Sequence, residues 1–403
     1  MPMSKNYWSI WVATLLFFAA FYTLMIPLPL YLTGVGLPDW QVGLVLGALG
    51  ITSLLVRPIA GMLADGWGRR QVMLMGTASL IIGSVGVGFT TQPWLLFSLR
   101  ILQATGYVAF TTAATALIAD LATPEKRGSA LAIFGVAANV AMTITPALVS
   151  TILDSLTLTG AFWLAGALAA VGGVLALRVD QPRLEPQQPE SLPHSVWRDM
   201  LSLANRLRLP LIIAALFGLA FGTFFQFIPL LTERRELGSA GLVYTVYGIS
   251  IIITRLFTGR LLDRVHQGLT LTMAFLMLAA GLGGFALAAA PVHLFIAAFL
   301  VAAGSGILHP LLIAIHVGQV SANERGRAGA VFYLGFDSGI GLGAWLLAPI
   351  FEWFGVTGLF LLAAAAAIAG IWPVWWMVSS PGQSRRSAPV IEAMQPSEAF
   401  SIK

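Results

Sequence analysis

The sequence predicts an all-α polytopic membrane protein whose twelve transmembrane helices form two pseudo-symmetric six-helix bundles. The first observation is composition: of 403 residues, 58% are hydrophobic and only 10% are charged, whereas soluble domains carry about 25% charged residues. The second is a series of apolar runs long enough to cross a bilayer, which takes about 20 residues. The third is an internal repeat in a single register, in which Gly43 recurs 198 positions later as Gly241.

Twelve apolar runs follow one another along the chain. The predicted spans are approximately 8–32, 41–64, 71–90, 94–121, 129–153, 160–179, 210–232, 240–263, 269–290, 293–320, 327–351 and 357–379. The first run is too long and too aromatic for a signal-peptide core, so we expect it to be the first membrane helix. The predicted domains are an N-terminal bundle (1–179), a cytoplasmic linker (180–209), a C-terminal bundle (210–379) and a cytoplasmic tail (380–403).

The basic residues lie mostly in short loops on one predicted side of the membrane. Of 22 lysines and arginines, only Arg234 and Arg235 fall in loops that a cytoplasmic N-terminus would place outside. Because Lys/Arg bias sets orientation, both termini are predicted to be cytoplasmic, in a plasma (inner) membrane. The spread of these charges over loops gives no reason to expect a nucleic-acid partner, despite a net charge of +5.

The repeat keeps one register across four helices. The matched residues are Arg57 with Arg255, Gly61 with Gly259, Asp65 with Asp263, Gly106 with Gly304, and Arg127 with Arg325. Parallel six-helix repeats related by an axis along the membrane normal are known in transporters, with the substrate site at the repeat interface near the bilayer midplane. The repeat therefore predicts a site between the two halves.

Two motifs carry a family resemblance. The first, after the second span, consists of Gly61, Leu63, Ala64, Asp65, Gly68, Arg69 and Arg70. It resembles the signature of the major facilitator superfamily between its second and third helices, with Gly66 where the family usually has a basic residue. The second, Arg100 to Gly106, is similar to the family's fourth-helix motif, with Ala104 replacing a glycine. An ordinary basic loop is the alternative for the first motif.

The resemblance is to the twelve-helix, drug/proton antiporter-like bacterial efflux carriers of that superfamily. It implies a secondary active transporter that works by alternating access, as a monomer, with a small-molecule substrate and protons as partners. The expected function is proton-coupled export of small amphiphilic molecules, cations among them. The fifth helix weakens the antiporter assignment, because Pro146 is kept while the preceding glycines of that group are replaced. The alternative is a dedicated exporter or importer of one metabolite, such as a sugar, an amino-acid derivative or a metal-chelating compound.

Three residues are candidates for proton coupling. Asp337 is the one acid near the middle of a span, and burial in a low-dielectric medium favours uptake of a proton by such a group. Arg100 matches the arginine that the resembled family associates with proton coupling, and His309 titrates near neutral pH. The alternatives are a neutral acid or a structural ion pair for Asp337, a snorkelling side chain for Arg100, and a neutral, hydrogen-bonded His309.

Helices one, four, seven and ten line the cavity in the resembled fold, which gives a set of candidate substrate contacts. They are Phe21, Tyr22, Gln103, Tyr107, Thr223, Phe224, Gln226, Ser305 and His309, with Asn139 as the fifth-helix counterpart of Asp337. Such a wall is aromatic and weakly polar, which suits an amphiphilic ligand better than a sugar. The alternative for each aromatic residue is ordinary helix packing.

Charged and glycine residues at the predicted cytoplasmic ends form a candidate gate. Its members are Gly61, Asp65, Gly68, Arg69, Arg70, Arg127, Asp263 and Arg325. Such charges can hold the halves together when the cytoplasmic side is closed and separate when it opens. The sequence lacks cysteine and a nucleotide-binding loop, and no nucleophile, base and acid cluster together. We therefore expect no enzyme activity, no cofactor and no metal site.

Overall fold

The computed structural model describes residues 5–123, 127–153, 156–179, 193–262, 266–321 and 324–379. Within these ranges the chain is helical and contains no strand. The helices are α1 (Lys5–Thr23), α2 (Pro27–Gly34), α3 (Asp39–Gly66), α4 (Arg69–Val87), α5 (Pro93–Leu121), α6 (Arg127–Ile152), α7 (Leu158–Leu177), α8 (Pro193–Arg206), α9 (Arg208–Arg235), α10 (Ala240–Leu262), α11 (Gln267–Ala286), α12 (Pro291–Gly318), α13 (Arg325–Ala369) and α14 (Ile371–Ser379).

The twelve predicted spans are confirmed. The first consists of α1 and α2, which are separated by a short break at residues 24–26 where Pro27 and Pro29 follow and cannot donate backbone hydrogen bonds. Helix α13 has 45 residues and would be about 68 Å long if straight, more than twice the ~30 Å hydrocarbon core. Gly355, with φ of 61°, turns the chain back there, so α13 supplies the eleventh span and, with α14, the twelfth.

The two halves of the molecule show the repeat in three dimensions. In the first half, a Cβ on Gly106 would lie 2.6 Å from the carbonyl oxygen of Gly76; in the second, a Cβ on Gly304 would lie 2.6 Å from that of Ala274. Gly304 and Ala274 lie 198 positions after Gly106 and Gly76, so the two contacts are equivalent in the repeat. Glycine is needed at both places because the fourth and third helices of each half approach too closely for any side chain.

The halves meet along two helix seams, α3 against α13 and α6 against α10. On the first seam, a side chain on Gly50 would overlap the backbone of Gly341; on the second, one on Gly248 would overlap Thr143. These pairs are also equivalent by the repeat. We call the membrane boundary that contains Asp39 the Asp39 end, and the opposite boundary the Asp65 end.

The helix α8, in the segment predicted as a linker, packs against the protein. Its Met200 and Leu203 bury their side chains against Ala328 and Val331 of α13. Arg206 donates from Nη1 to Glu324 Oε1 at 2.9 Å. These apolar contacts attach the helix to the start of the eleventh span.

Candidate functional site

A buried ion pair joins the two halves within the membrane. Arg57 of α3 donates to Oδ2 of Asp337 in α13, from Nη2 at 2.7 Å and from Nε at 3.2 Å. The side chains of Arg57 and Asp337 are 20% and 10% exposed. The pair lies on the first seam, near the glycine contact of Gly50, so a charge contact accompanies the closest approach of the two halves.

Aromatic rings and a histidine surround this pair. The Cζ atom of Arg57 lies 4.8 Å from the ring centroid of Tyr333, and the His309 ring lies 6.0 Å from the same centroid. His309 also packs edge-on against Phe332 and Phe336. The structure therefore brings two of the three predicted coupling residues, Asp337 and His309, to one region, with Tyr333 between Arg57 and the imidazole.

Arg100, the third predicted coupling residue, lies at a separate cavity between the halves. Its side chain is buried and does not extend to the membrane surface; Nη1 donates to Gln103 Oε1 at 2.9 Å. The cavity has a volume of about 20 Å³, room for roughly one water molecule. It is lined by Phe21, Leu24, Met25, Leu28, Pro29, Leu46, Arg100, Phe225 and Gln226.

Aromatic side chains from both halves border this cavity. Phe21 stacks on Tyr107 with ring centroids 4.5 Å apart, and Tyr22 packs edge-on against Phe225 of α9 at 6.0 Å. The α1–α2 break lies on the same wall, which agrees with the rule that irregular backbone at membrane depth lines a cavity or is covered by protein. Of the residues predicted to contact substrate, Phe21 and Gln226 line this cavity, and Tyr107 and Tyr22 pack against its aromatic wall.

Four other predicted cavity residues do not line this cavity. Ser305 is within 3.1 Å of the Tyr247 hydroxyl, and Phe224 packs on Tyr247 and Phe285 inside the second half. Thr223 donates to the Leu219 carbonyl at 3.0 Å. Gln103 donates from Nε2 to the Gly83 carbonyl at 3.0 Å and so positions Arg100. Their roles as substrate contacts remain predictions, because none of the four side chains lines the cavity in this conformation.

Several predicted gate residues form a network at the Asp65 end. Arg69 donates to Asp65 from Nη1 and to Asp120 Oδ2 from Nε, the latter at 2.7 Å. Arg70 donates to the Leu177 and Val179 carbonyls. Gly68 has φ of 110°, which explains the glycine of the signature, because other residues rarely adopt this conformation.

The remaining gate predictions are less constrained. Gly61 faces open space and Arg325 is exposed. The side chain of Arg127 and all of Asp263 lie outside the described residues. Asn139, the counterpart of Asp337, donates from Nδ2 to the Gly135 carbonyl at 3.2 Å.

A second ion pair between the halves, not predicted from the sequence, lies at the Asp39 end. Arg234 of α9 makes two hydrogen bonds to the carboxylate of Asp39 at the start of α3. Close by, the Trp40 backbone N–H donates to Glu352 Oε2 at 3.2 Å. Arg234 stood out in the sequence as one of two basic residues on the predicted outer side, which was the available signal.

No group of three or more His, Cys, Asp or Glu residues suited to a metal ion occurs among the residues that the structure describes. The polar groups of the described interior include the Arg57–Asp337 pair, His309, and the Arg100 and Gln226 side chains at the cavity. Such an arrangement can bind, release and exchange protons or ligands across the interface of the halves.

Comparison with known proteins agrees with this arrangement. The sequence profile of the Major Facilitator Superfamily matches residues 10–294 and 236–402. The chain belongs to this superfamily of membrane transporters. In fold, the nucleoside transporter NupG is similar, with a TM-score of 0.76 at 15% identity, covering 94% of this chain and 100% of that one.

Curated relatives include proteins named as efflux pumps. The multi-drug resistance efflux pump PmrA homolog of Lactococcus lactis subsp. lactis (strain IL1403) is 26% identical over 76% of this chain and 78% of its own length. The multidrug resistance protein MdtG of Erwinia billingiae (strain Eb661) is 26% identical over 90% of this chain and 91% of its own length. The chain is thus a multi-pass membrane transporter rather than an enzyme.

Proposed function

We propose that this protein is a proton-coupled exporter of small amphiphilic molecules that works by alternating access. The observation that carries the proposal is the Arg57–Asp337 pair, which joins the halves at membrane depth. The relative named as a multi-drug resistance efflux pump supports the direction of transport. Its name and that of the multidrug resistance protein MdtG support a broad substrate class. The proposed setting is a plasma (inner) membrane with both termini cytoplasmic and a monomeric chain, so that the Asp65 end faces the cytoplasm.

The pair offers a physical route from protonation to movement. A proton on Asp337 removes the negative charge that holds the Arg57 guanidinium and weakens the contact between α3 and α13. Loss of the proton restores the charge and the pair. Since the two residues belong to different halves, the protonation state of Asp337 is tied to the relative position of those halves. His309 and Tyr333 beside the pair give polar groups through which a proton can enter or leave.

The ion pairs at the two membrane boundaries fit the same cycle. Arg234–Asp39 holds the halves together at the Asp39 end, whereas the Asp65–Arg69–Asp120 network lies within the first half. The conformation is therefore held closed at the proposed outer side. For an exporter this is the stage at which substrate is taken up from the cytoplasmic side.

The proposal is tested by efflux of a fluorescent amphiphilic dye from cells that express wild-type or Asp337→Asn protein, each with and without a protonophore. We expect dye export by the wild type, its loss with the protonophore, and its loss in Asp337→Asn. Glu236→Gln, which neutralises an exposed loop carboxylate, serves as the matched control and should export normally. Undiminished, protonophore-sensitive export by Asp337→Asn at equal membrane expression would exclude Asp337 as the coupling residue.

A dedicated carrier of one metabolite is the second candidate, and the polar side chains that line the cavity favour it. Gln226 and Arg100 present fixed hydrogen-bonding groups there, which suits a single polar substrate. Competition distinguishes the two functions: inhibition of export by chemically unrelated amphiphiles supports the broad exporter, whereas inhibition by a narrow set of analogues supports the dedicated carrier.

A further inference from the structure

Positive charge exceeds negative charge inside the membrane. In the described parts of the membrane-spanning helices, four charged side chains lie more than one helical turn from a helix end or from the Gly355 turn: Arg57, Arg100, Arg255 and Asp337. Of these three arginines, Arg57 alone has a carboxylate partner among the described residues. Arg255 is exposed, whereas Arg100 is buried. An unpaired charge in a low-dielectric interior is costly, so the guanidinium group of Arg100 needs an explanation.

Arg100 is the more deeply placed of the two. It is 6% exposed, and none of the ion pairs between described residues includes it. Its hydrogen bond to Gln103 comes from Nη1, while Nε is buried and makes no hydrogen bond to the described protein. A neutral amide acceptor does not balance the charge of a guanidinium, which remains protonated in proteins.

Gln226 contributes from the opposite half. This side chain of α9 is 4% exposed, and neither its Nε2 nor its Oε1 makes a hydrogen bond within the part of the chain that the structure describes. Buried amides are nearly always hydrogen-bonded, because an unsatisfied polar group costs about 1–3 kcal/mol. Arg100 and Gln226 both line the cavity beside the α1–α2 break. Three buried polar atoms from two halves of the protein therefore belong to one place.

Arg255 shows the same charge excess at the second seam. It is the counterpart of Arg57 in the repeat, and the counterpart of Asp337 is Asn139. The seam contacts obey this equivalence, since Gly50 meets Gly341 and Gly248 meets Thr143. An asparagine side chain bonded to its own helix cannot offset the arginine charge. The repeat has thus kept both cations and only one anion.

We propose that the transported molecule is an amphiphilic anion whose carboxylate, sulfonate or other oxyanion group binds Arg100 and Gln226. This inference rests on the proposed transport function and names the substrate charge, in place of the cations that the sequence suggested. The oxyanion accepts hydrogen bonds from Arg100 Nε and Gln226 Nε2. Charge-assisted bonds of this kind are the strong ones, and the planar guanidinium matches an oxyanion better than an ammonium would.

The surroundings of the cavity fit the apolar part of such a ligand. Phe21 stacks on Tyr107 on one side, and Phe225 lies on the other. The cavity, at about 20 Å³, is too small for an amphiphile in this conformation. Its walls come from α1, α2, α3 and α5 of the first half and α9 of the second, so a movement of the halves widens it.

The test uses three dansyl compounds that share one fluorophore and differ in charge: dansylglycine (anionic), dansylglycinamide (neutral) and dansylcadaverine (cationic). Purified full-length protein in liposomes is given a proton gradient, and flux of each compound is measured. In parallel, the melting temperature of the detergent-solubilised protein is measured with each compound. We expect dansylglycine to be transported and to raise the melting temperature, with the amide and the cation about tenfold weaker or more.

Two variants identify the binding groups. Arg100→Gln should lower dansylglycine affinity by about tenfold or more, with less effect on the neutral amide, because a charge-assisted contact is lost. Arg100→Lys keeps the charge without the planar fork and should recover part of the affinity. Gln226→Leu removes the second binding group at similar volume without changing the charge, and should also weaken dansylglycine binding. It keeps the inference testable if Arg100→Gln fails to fold.

The outcomes separate this inference from the proposed export function. Gradient-driven flux of dansylcadaverine alone would overturn the anion assignment and leave the exporter in place. Binding of dansylglycine that requires Arg100, without gradient-driven flux, would support the anion site and overturn proton-coupled export. Dansylglycine binding that is unchanged in both Arg100→Gln and Gln226→Leu would overturn the assignment to this cavity. If dansylglycine shows no binding and no flux, the anion inference is overturned.

Discussion

At the scale of single residues, the Arg57–Asp337 pair is the contact on which both the stability of the interface and the proposed proton coupling depend. Both side chains are largely buried and come from different halves of the chain. A buried pair gives little net stability relative to well-packed apolar residues, but removal of one partner leaves an uncompensated charge. The consequence is asymmetric: the pair tolerates joint loss far better than loss of either member.

We therefore expect Asp337→Asn and Arg57→Gln each to destabilise the protein, by roughly 3–5 kcal/mol where the remaining group stays charged and buried. The double variant should recover a large part of the loss. A double-mutant cycle on thermal stability in detergent measures this coupling. If the two single effects simply add, the residues do not act as a pair in the folded protein, and the proposed link between protonation and movement would lose its basis.

Asp65 is a different kind of residue, because its side chain is 68% exposed. Its partner Arg69 is also held by Asp120, so Asp65→Asn should change stability by less than about 1 kcal/mol. We expect slower transport with nearly unchanged substrate affinity, since the residue belongs to a boundary network rather than to the cavity. Flux and binding measured on the same preparation check this. A large loss of affinity with normal maximal flux would contradict the gate role.

The residue scale also shows what sequence reasoning could reach. Asp337 was predicted because an acid in the middle of an apolar run is conspicuous. Its partner Arg57 was noted only as the repeat match of Arg255, because nothing in one sequence shows which helix of the other half it meets. Gln103 was predicted as a lining residue by its helix, whereas its bonds to Arg100 and Gly83 depend on which face packs against α4.

At the scale of helices, the fold itself was largely predictable, because the span length and the repeat register constrain it strongly. The exceptions are the positions where helix packing determines where a helix breaks or which helices touch. The chain breaks between α1 and α2, just before Pro27, whereas Pro229 lies within the continuous helix α9. The seams between the halves depend on glycines whose contacts lie hundreds of residues away.

The seam between α3 and α13 makes a prediction of its own. A Cβ on Gly50 would lie less than 3.0 Å from backbone atoms of Gly341 and Asp337, and backbone cannot move aside as a flexible side chain can. Gly50→Ala should therefore push the two helices apart, destabilise the protein by about 1–3 kcal/mol and impair transport. Thermal stability and flux are the measurements.

Gly135→Ala is the matched control for that substitution. Gly135 also lies within a membrane helix, α6, but a Cβ there meets no atom within 4 Å. In this position alanine should be neutral or stabilising by up to about 1 kcal/mol, because glycine has the lower helix propensity. Equal effects of the two substitutions would show that helix propensity, and not the close approach of the halves, determines the result at Gly50.

The attachment of α8 should depend on pH. Hydrogen bonds from Arg206 and Ser321 lower the pKa of Glu324 below its usual value, so the folded state holds the ionised carboxylate more strongly than the unfolded chain does. Its contribution is therefore present above the unfolded pKa, near 4.3, and is lost as the pH falls through the lowered pKa. Hydrogen exchange of the α8 amides, corrected for intrinsic rates, should show weaker protection at about pH 3 than at pH 6.

The variant Glu324→Gln separates this effect from general acid denaturation. It should weaken α8 protection already at pH 6 and remove the part of the pH dependence that belongs to this pair, while the core helices stay protected. If α8 in the variant shows the same pH response as in the wild type, another group determines its attachment, or the apolar contacts of Met200 and Leu203 suffice alone.

At the scale of the whole molecule, we propose that the ion pairs between the two halves influence which end of the transporter is closed. Arg234–Asp39 joins the halves at the Asp39 end, and Arg57–Asp337 joins them at membrane depth. The Arg234–Asp39 pair is partly exposed and contributes up to about 1 kcal/mol of interaction free energy. Its loss should shift the population of conformations modestly, because 1 kcal/mol corresponds to roughly a fivefold change in an equilibrium.

This shift can be measured cleanly because the chain contains no cysteine. Met25, 8% exposed at the α1–α2 break, lines the small cavity, so the single cysteine of Met25→Cys reports access to it. Adding Asp39→Asn should raise the rate of labelling by a membrane-impermeant maleimide, applied from the Asp39 end, by up to about fivefold. Adding Glu236→Gln instead should leave the rate unchanged. Equal rates with and without Asp39→Asn, in protein of normal stability, would mean that the glycine seams rather than the Arg234–Asp39 pair keep the Asp39 end closed.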